Sequence, residues 1–243
     1  MMVSLMILGH LLNAQTDTLK KVNVDEVTIT SYRHNAQEIK FLPSINGTMI
    51  TEGKKSELIS IQDAPMNVAE KSGRQVFGKL PGAFIYDMDG AGNQINIATR
   101  GLDPHRSWEY YVSQNGITTN SDMYGYPASH YSSPLESIKQ IEIVRGTAAL
   151  QYGAQFGGAI NYITKQADTT RHFGGEAILS AGSFGLFSGY VSVGGKIGKW
   201  KYQTYFHKRL AQGYRKIARS EADAQFFSIQ GQLTSRITLK AEL

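Results

Sequence analysis

Three stretches in the C-terminal third alternate strictly between apolar and wet side chains, and this period of two constrains the chain more than any other feature. In residues 187–195, Phe187, Gly189, Val191 and Val193 fall on one face and Ser188, Tyr190 and Ser192 on the other. In residues 200–207, Trp200, Tyr202, Thr204 and Phe206 oppose Lys201, Gln203, Tyr205 and His207. In residues 226–233, Phe227, Ile229, Gly231 and Leu233 oppose Ser228, Gln230 and Gln232. Such a period belongs to extended strands, whose successive side chains point to opposite faces. A half-buried soluble sheet and a membrane-spanning barrel strand both produce it, and from pattern alone the soluble sheet is the commoner source.

Two other features favour the barrel. The 243-residue chain holds 25 glycines and 13 tyrosines against 6 prolines, which fits many-stranded β structure with aromatic residues near strand ends. Residues 3–12 (VSLMILGHLL) form an apolar run too short to span a bilayer as a helix, followed by Asn13, Ala14 and Gln15. This reads as an export signal over residues 1–14, although no Lys or Arg precedes the apolar run. Four or five strands are expected after residue 167, with Leu243 falling inside another. An open sheet edge cannot sit in lipid, because its backbone donors and acceptors lack partners. A barrel wide enough to hold a folded domain needs many more strands, so the expectation is a fragment of a protein several hundred residues longer.

Upstream, residues 15–40 are polar and charged, with one short alternating run at residues 22–30. Residues 41–166 have the texture of a compact α+β domain, a small mixed sheet with short helices. The i+4 recurrence of Val68, Ser72, Val76 and Leu80 predicts a helix over 65–80, ended by Pro81-Gly82. Strands are expected at 83–86, 94–99, 110–112, 138–144 and 159–164, with a glycine-rich turn at 87–93 and a turn at Asn115-Gly116.

Several function classes fall away. The formal net charge of +5 comes without a basic cluster, so no nucleic-acid footprint is present. The absence of cysteine removes disulfides, zinc–thiolate sites and cysteine nucleophiles. The six histidines show no HExxH spacing, and no serine lies in a G-x-S-x-G elbow. Gly90-Ala91-Gly92 lacks the following helix that a nucleotide fingerprint requires. No enzyme, resident cofactor or bound metal is expected.

Two stretches carry a family resemblance. One is Ile97-Ala98-Thr99-Arg100-Gly101-Leu102, followed by Gln114-Asn115-Gly116-Ile117. The other runs from Ile141-Glu142-Ile143-Val144-Arg145-Gly146 through Leu150, Tyr152 and Gly153 to Gly157-Gly158-Ala159-Ile160-Asn161-Tyr162-Ile163-Thr164-Lys165. Together they resemble the plug domain of TonB-dependent outer-membrane receptors, with Asn115 where aspartate is usual. The resemblance covers roughly residues 25–243. Gly78-Lys79-Leu80-Pro81-Gly82, Asp103-Pro104-His105-Arg106-Ser107, Gly125-Tyr126-Pro127 and Gly182-Ser183-Phe184-Gly185 are similar to the ferric-dicitrate-receptor-like branch. Too few residues precede Val22 for the signalling domain of some members of that branch, so transport without that arm is expected.

The resemblance implies a plug domain at 41–166 and the first antiparallel strands of a large transmembrane β-barrel at 167–243, in the outer membrane of a Gram-negative bacterium. It implies energy-coupled uptake of a ferric siderophore or ferric citrate, iron entering only as part of the transported chelate. Uptake of haem, cobalamin or a glycan, a non-transporting adhesin and a soluble β domain are the rivals. Asp25-Glu26-Val27-Thr28-Ile29-Thr30-Ser31 is similar to a TonB box, a segment that can add as a strand to the partner's sheet. Arg100 and Arg145 correspond to plug arginines that pair with barrel glutamates. His105, Arg106 and Trp108, with Tyr124 and Tyr126, stand on loops that would floor the ligand site. Arginine there suits an anionic chelate and aromatic rings suit its organic rim. The implied partners are TonB, the ferric chelate and outer-membrane lipid.

Overall fold

A computed structural model describes residues 39–46, 49–51, 56–64, 66–88, 92–120, 131–153 and 155–243. The export signal, residues 25–31, Tyr124 and Tyr126 lie outside the described residues. In chain order the strands are β1 (Lys40–Phe41), β2 (Ile45–Asn46), β3 (Met49–Ile50) and β4 (Ser56–Ser60). The helix α1 (Gly73–Phe77) precedes β5 (Ala83–Tyr86), β6 (Asn96–Thr99), β7 (Tyr110–Gln114) and β8 (Ile117–Thr118). Then come β9 (Ile138–Val144), β10 (Gly158–Thr164), β11 (Gly174–Gly182), β12 (Leu186–Ile197), β13 (Trp200–Ala211), β14 (Ser220–Gln232) and β15 (Thr238–Glu242).

The first sheet has the order β1-β4-β9-β10-β7-β8, antiparallel except where β10 runs parallel to β7. Its centre, β9, is buried on both faces. Ile141 and Ile143 join Phe77, Ile97, Tyr110, Leu135 and Ile160 in the main core, while Val144 faces a second cluster with Leu42, Ala149 and Ala159. A register shift opposite Ile163 and Thr164 re-phases the strand, so Ile138 shares the core with Ile141 while Lys139 is exposed. At the far edge, Asn115 and Gly116 both have positive φ, 51° and 84°, the backbone a two-residue hairpin of matching twist requires. The Asn115 side chain ties this turn to Thr164 on β10 and to Glu242 on β15.

The helix expected over 65–80 is cut to the five residues of α1. Lys71 has φ +59°, a left-handed conformation that breaks any helix running through it, and residues 68–71 form turns. The packing of Gly92 against the Glu70 and Lys71 carbonyls fixes that break. The strand expected from 94 begins at Asn96, where pairing with β5 starts. The other strands expected in the plug lie within two residues of their bounds, whereas β1 to β4 and β8 were not expected from the sequence.

The second sheet is the antiparallel meander β11-β12-β13-β14-β15. Its faces are inverted relative to a soluble sheet. The wet set is inside: Ser188, Tyr190, Ser192, Gln203, Tyr205, His207 and Arg209 are all buried. The apolar set is outside: Val191 is 49 % exposed, Phe206 45 % and Phe227 43 %. Water gives no reason to expose that face, whereas a bilayer does, since lipid is its solvent. The soluble-sheet rival is therefore set aside, and the architecture is an α+β plug followed by early barrel strands.

This inversion predicts that Phe206→Arg destabilises the protein in liposomes by about 2–4 kcal/mol in urea titration. Gln230→Arg, on the opposite face of β14, is expected to have a smaller effect. Equal losses would contradict the orientation of the sheet.

Candidate functional site

The loop between β5 and β6 meets the connection after β13, where Arg215 donates to the Met88 carbonyl. After β6 the chain turns through Arg100 and Gly101, with φ 59° and 75°, and Arg100 is exposed there. A short 3-10 turn, His105–Ser107, follows. Ser107 pins it: its hydroxyl donates to the Ile95 carbonyl and accepts from the Ile97 amide at 3.1 Å. The Arg106 amide donates to Asn96 Oδ1 at 2.8 Å, and the His105 ring meets the Tyr86 hydroxyl at 3.4 Å. Trp108 is left 49 % exposed. Local hydrogen bonding thus holds Arg106 and Ser107 in left-handed backbone conformations that non-glycine residues seldom adopt.

A cleft of about 710 Å³ opens between the plug and the inner side of β13 and β14. Lys71 and Tyr131 contribute from the plug, and His207 and Arg209 from the strand. Arg215, Lys216 and Arg219 contribute from the β13–β14 connection. The acids in the lining are Glu221 and Asp223, and Lys208 bridges both at 2.7 and 3.2 Å. The balance of the lining is therefore cationic, with Tyr131 supplying a ring. Such a site suits an anion of drug-like size through charge-assisted hydrogen bonds. Arg215 also donates to the Met88 carbonyl at 3.0 Å, which ties the connection to the plug loop beneath it.

His105, Arg106 and Trp108 are not among the residues lining this cleft. Sequence reasoning missed Arg215, Lys216 and Arg219, although three cations within five residues between two alternating runs were a legible signal. Lys71, His207 and Arg209 come from other segments, and only folding brings them there.

Two buried charged clusters lie below. Arg145, expected from the sequence to meet glutamates of later barrel strands, forms an ion pair inside the plug. Its Nη2 contacts both Glu57 carboxylate oxygens at 2.5 Å and its Nη1 donates to the Pro81 carbonyl at 3.0 Å. The reason is proximity: β4 pairs with β9, Glu57 opposite Ile143, which brings it close to Arg145 just past the end of β9. The second cluster joins plug to wall. Ser188 donates to Glu136 Oε1 at 2.6 Å, and His207 Nε2 lies 3.1 Å from Ser188 Oγ and 3.7 Å from Glu136 Oε2. Since the single serine proton goes to Glu136, His207 Nε2 is the donor to Ser188. The hydroxyl faces the Glu136 carboxylate and the histidine is its donor, so the trio lacks the histidine base of a nucleophile–base–orienter set. Burial alone would raise the Glu136 carboxyl, but hydrogen bonds donated by His207, Ser188 and its own backbone N–H outweigh it and hold it below the ordinary range. Beside it, Arg209 donates to the Ala69 carbonyl at 3.0 Å.

A profile of the TonB-dependent Receptor Plug Domain family matches residues 57–160. The ferric enterobactin receptor of Pseudomonas aeruginosa is 27 % identical over 125 residues, 47 % of this chain and 17 % of that protein. The vitamin B12 transporter BtuB of Photobacterium profundum is 29 % identical over 131 residues, 54 % of this chain and 20 % of that protein. Among solved structures, the unliganded ferric citrate transporter FecA superposes with a TM-score of 0.62 at 22 % identity, over 77 % of this chain and 30 % of that one. That likeness shows the fold. The match spans a fifth or less of either curated relative.

Two predictions follow from the buried charges. Glu57→Gln leaves Arg145 buried without its counter-charge and is expected to destabilise the plug by about 3–5 kcal/mol. Hydrogen exchange at β4 and β9 in the full-length receptor measures this, and unchanged protection there would refute it. Because the Glu136 pKa is depressed on folding, its contribution is present above the unfolded value and lost as pH falls through the folded one. The urea midpoint of the wild-type receptor should therefore fall more between pH 6 and pH 3 (about the carboxylate range) than that of Glu136→Gln.

Proposed function

This chain belongs to the TonB-dependent outer-membrane receptor family, and from that premise we propose that the whole receptor imports an anionic ferric chelate, a siderophore or ferric citrate. The observation that carries the choice of cargo is the cationic cleft where the plug meets β13 and β14. Arg215, Lys216 and Arg219 would offer forked and point-charge donors to carboxylate or catecholate oxygens. Tyr131 would pack against the organic part of the chelate. His105, Arg106 and Trp108 occupy a neighbouring plug loop, and with Tyr124 and Tyr126 they are proposed as outer contacts. Iron is cargo in this scheme, held by its chelator and not by protein ligands.

Energy would reach the plug through TonB. Residues 25–31 would add as a strand to a sheet of that partner, backbone hydrogen bonds supplying affinity and a line for pulling. A domain that must rearrange under pull is better seated on polar contacts than on a fused apolar core, because water can replace each polar contact as it breaks. The polar inner face of the wall supports this, and Arg100 and Arg145 are proposed to help seat the plug against later strands of the wall.

The test is growth of the native host under iron limitation, with the gene intact, deleted or lacking residues 25–31, and ferric citrate or one siderophore as sole iron source. Growth on one chelate with the intact gene alone supports the proposal and names the cargo. Equal growth of all three strains on every source refutes iron uptake, and cobalamin-dependent growth then tests the other relative's cargo. Neutralising Arg215, Lys216 and Arg219 together should weaken chelate binding at least about tenfold. Unchanged affinity would remove the cleft from the proposal.

A further inference from the structure

The inner face of the wall carries a second cationic region, at the end away from the β13–β14 connection. The registers of β12 to β15 run without a shift, so Lys196, Lys201, Gln230 and Lys240 stand in one row across the sheet. All four fall in the inward set of their strands. Lys196 and Lys201 are directly opposite each other. Like charges so placed destabilise a sheet, and neither lysine forms an ion pair among the described residues. Lys240 instead meets Glu242 at 2.7 Å.

A cleft of about 400 Å³ opens beside this row, between Gln62, Lys139 and Lys165 of the plug and Ser192, Gly194 and Gln203 of the wall. Lys196 and Lys201 lie one step further along the same face, past Gly194 and Gln203. Lys165 is committed to Glu176 at 2.9 Å, and Arg171 meets Asp168 at 3.5 Å in an exposed pair that water screens. Lys139 is exposed and forms no ion pair among the described residues. Gly174, opposite Gly194, leaves the floor bare, since a Cβ there would meet only the Gly194 carbonyl at 3.7 Å. The cleft and its rim are therefore positive, open and without enough carboxylates of their own.

We infer that this second cleft is an anion site at the periplasmic mouth of the wall, taking a compact polycarboxylate or the carboxylate rim of a chelate. The turns at this end, residues 198–199 and 233–237, are short, and short turns of bacterial barrels face the periplasm. Phospholipid headgroups are the other anions at that level, but the lipid-facing residues here are Ile197, Trp200 and Leu239, on the opposite face. A local rule broken by two opposed lysines marks a surface kept for something other than stability. An anion between them relieves their repulsion and gains charge-assisted hydrogen bonds. Along β13 the inward residues run from Arg209 and His207 at the first cleft, through Tyr205 in the aromatic cluster, to Gln203 at the second. The two clefts share one face, separated by one aromatic layer. That the anion is departing cargo rests on the uptake of an anionic chelate proposed above.

The experiment labels lysines of the whole receptor in detergent with an amine-reactive ester and reads each one by mass spectrometry. The probes are citrate, ferric citrate and ferric enterobactin, with sodium chloride at matched ionic strength as control and retention of radioactive iron as the measure of chelate binding. Lys199, in the turn between Lys196 and Lys201, is the internal reference. A saturating probe should slow labelling of Lys139, Lys196 and Lys201 at least about fivefold while Lys199 changes less than about twofold. Lys196→Gln should raise the urea midpoint, because it removes an opposed charge, and should weaken the protection of Lys139 about tenfold. A lower midpoint with protection unchanged would make the lysine structural and overturn the site. Equal protection by chloride is screening alone and overturns it too. A chelate retained without protection of these lysines overturns the site and leaves the uptake reading intact. Protection by citrate with neither ferric chelate retained upholds the site and overturns its link to cargo.

Discussion

Hydrocarbon offers a backbone no hydrogen-bond partners, and the rest of this structure depends on that constraint. It demands a wall in which each strand pairs with its neighbours, and β11 to β15 form such a meander without a crossover. It also reverses the usual placement of side chains. Val191, Phe206 and Phe227 turn outward, and Ser188, Gln203, His207 and Arg209 turn inward. A plug packed against that inner face meets a polar surface, so its contacts with the wall are largely hydrogen bonds and ion pairs. Lys165 with Glu176, Asn115 with Glu242 and Glu136 with Ser188 and His207 are all of this kind. One aromatic cluster, Tyr190, Tyr205 and Phe226, interrupts the pattern.

Within the plug the same economy of charge holds. Its sheet is apolar at the centre, yet Glu57, Glu136 and Glu142 are all buried in or beside it. Each is held by named donors: Arg145 for Glu57, Ser188 and His207 for Glu136, and Asn46, Gln140 and Asn161 for Glu142. Buried pairs of this sort add little net stability, because desolvation offsets attraction. Their effect is to penalise alternatives: a shifted register or an undocked plug strands a charge in an apolar place. That suits a domain that must be well seated in one position.

The cleft sits where these two surfaces part. Its cations come from a plug turn at Lys71, from the inner face of β13 and from the β13–β14 connection. None of these segments is a site alone. The contact of Arg215 with the Met88 carbonyl and those of Arg209 with the Ala69 and Glu70 carbonyls bring them to one place.

The sequence by itself determined the elements and their period. The alternation around Val191, Phe206 and Phe227 marked the wall strands. Asn115-Gly116 marked a hairpin, because few other pairs accept two positive φ values in succession. The motif from Ile141 to Lys165 marked the plug. What alternation cannot state is which face is inside, since the pattern is symmetric under exchange of faces until the solvent of each is known. Tertiary structure decided that, placing the polar face against the plug. It also decided the ends of α1, where contact with Gly92 overrode a helical period, and the partner of Arg145, where sheet order brought Glu57 alongside. Above all it decided the cleft, because a site built from residues 71, 131, 207, 209 and 215–219 exists only when long-range pairing has closed the distance between them.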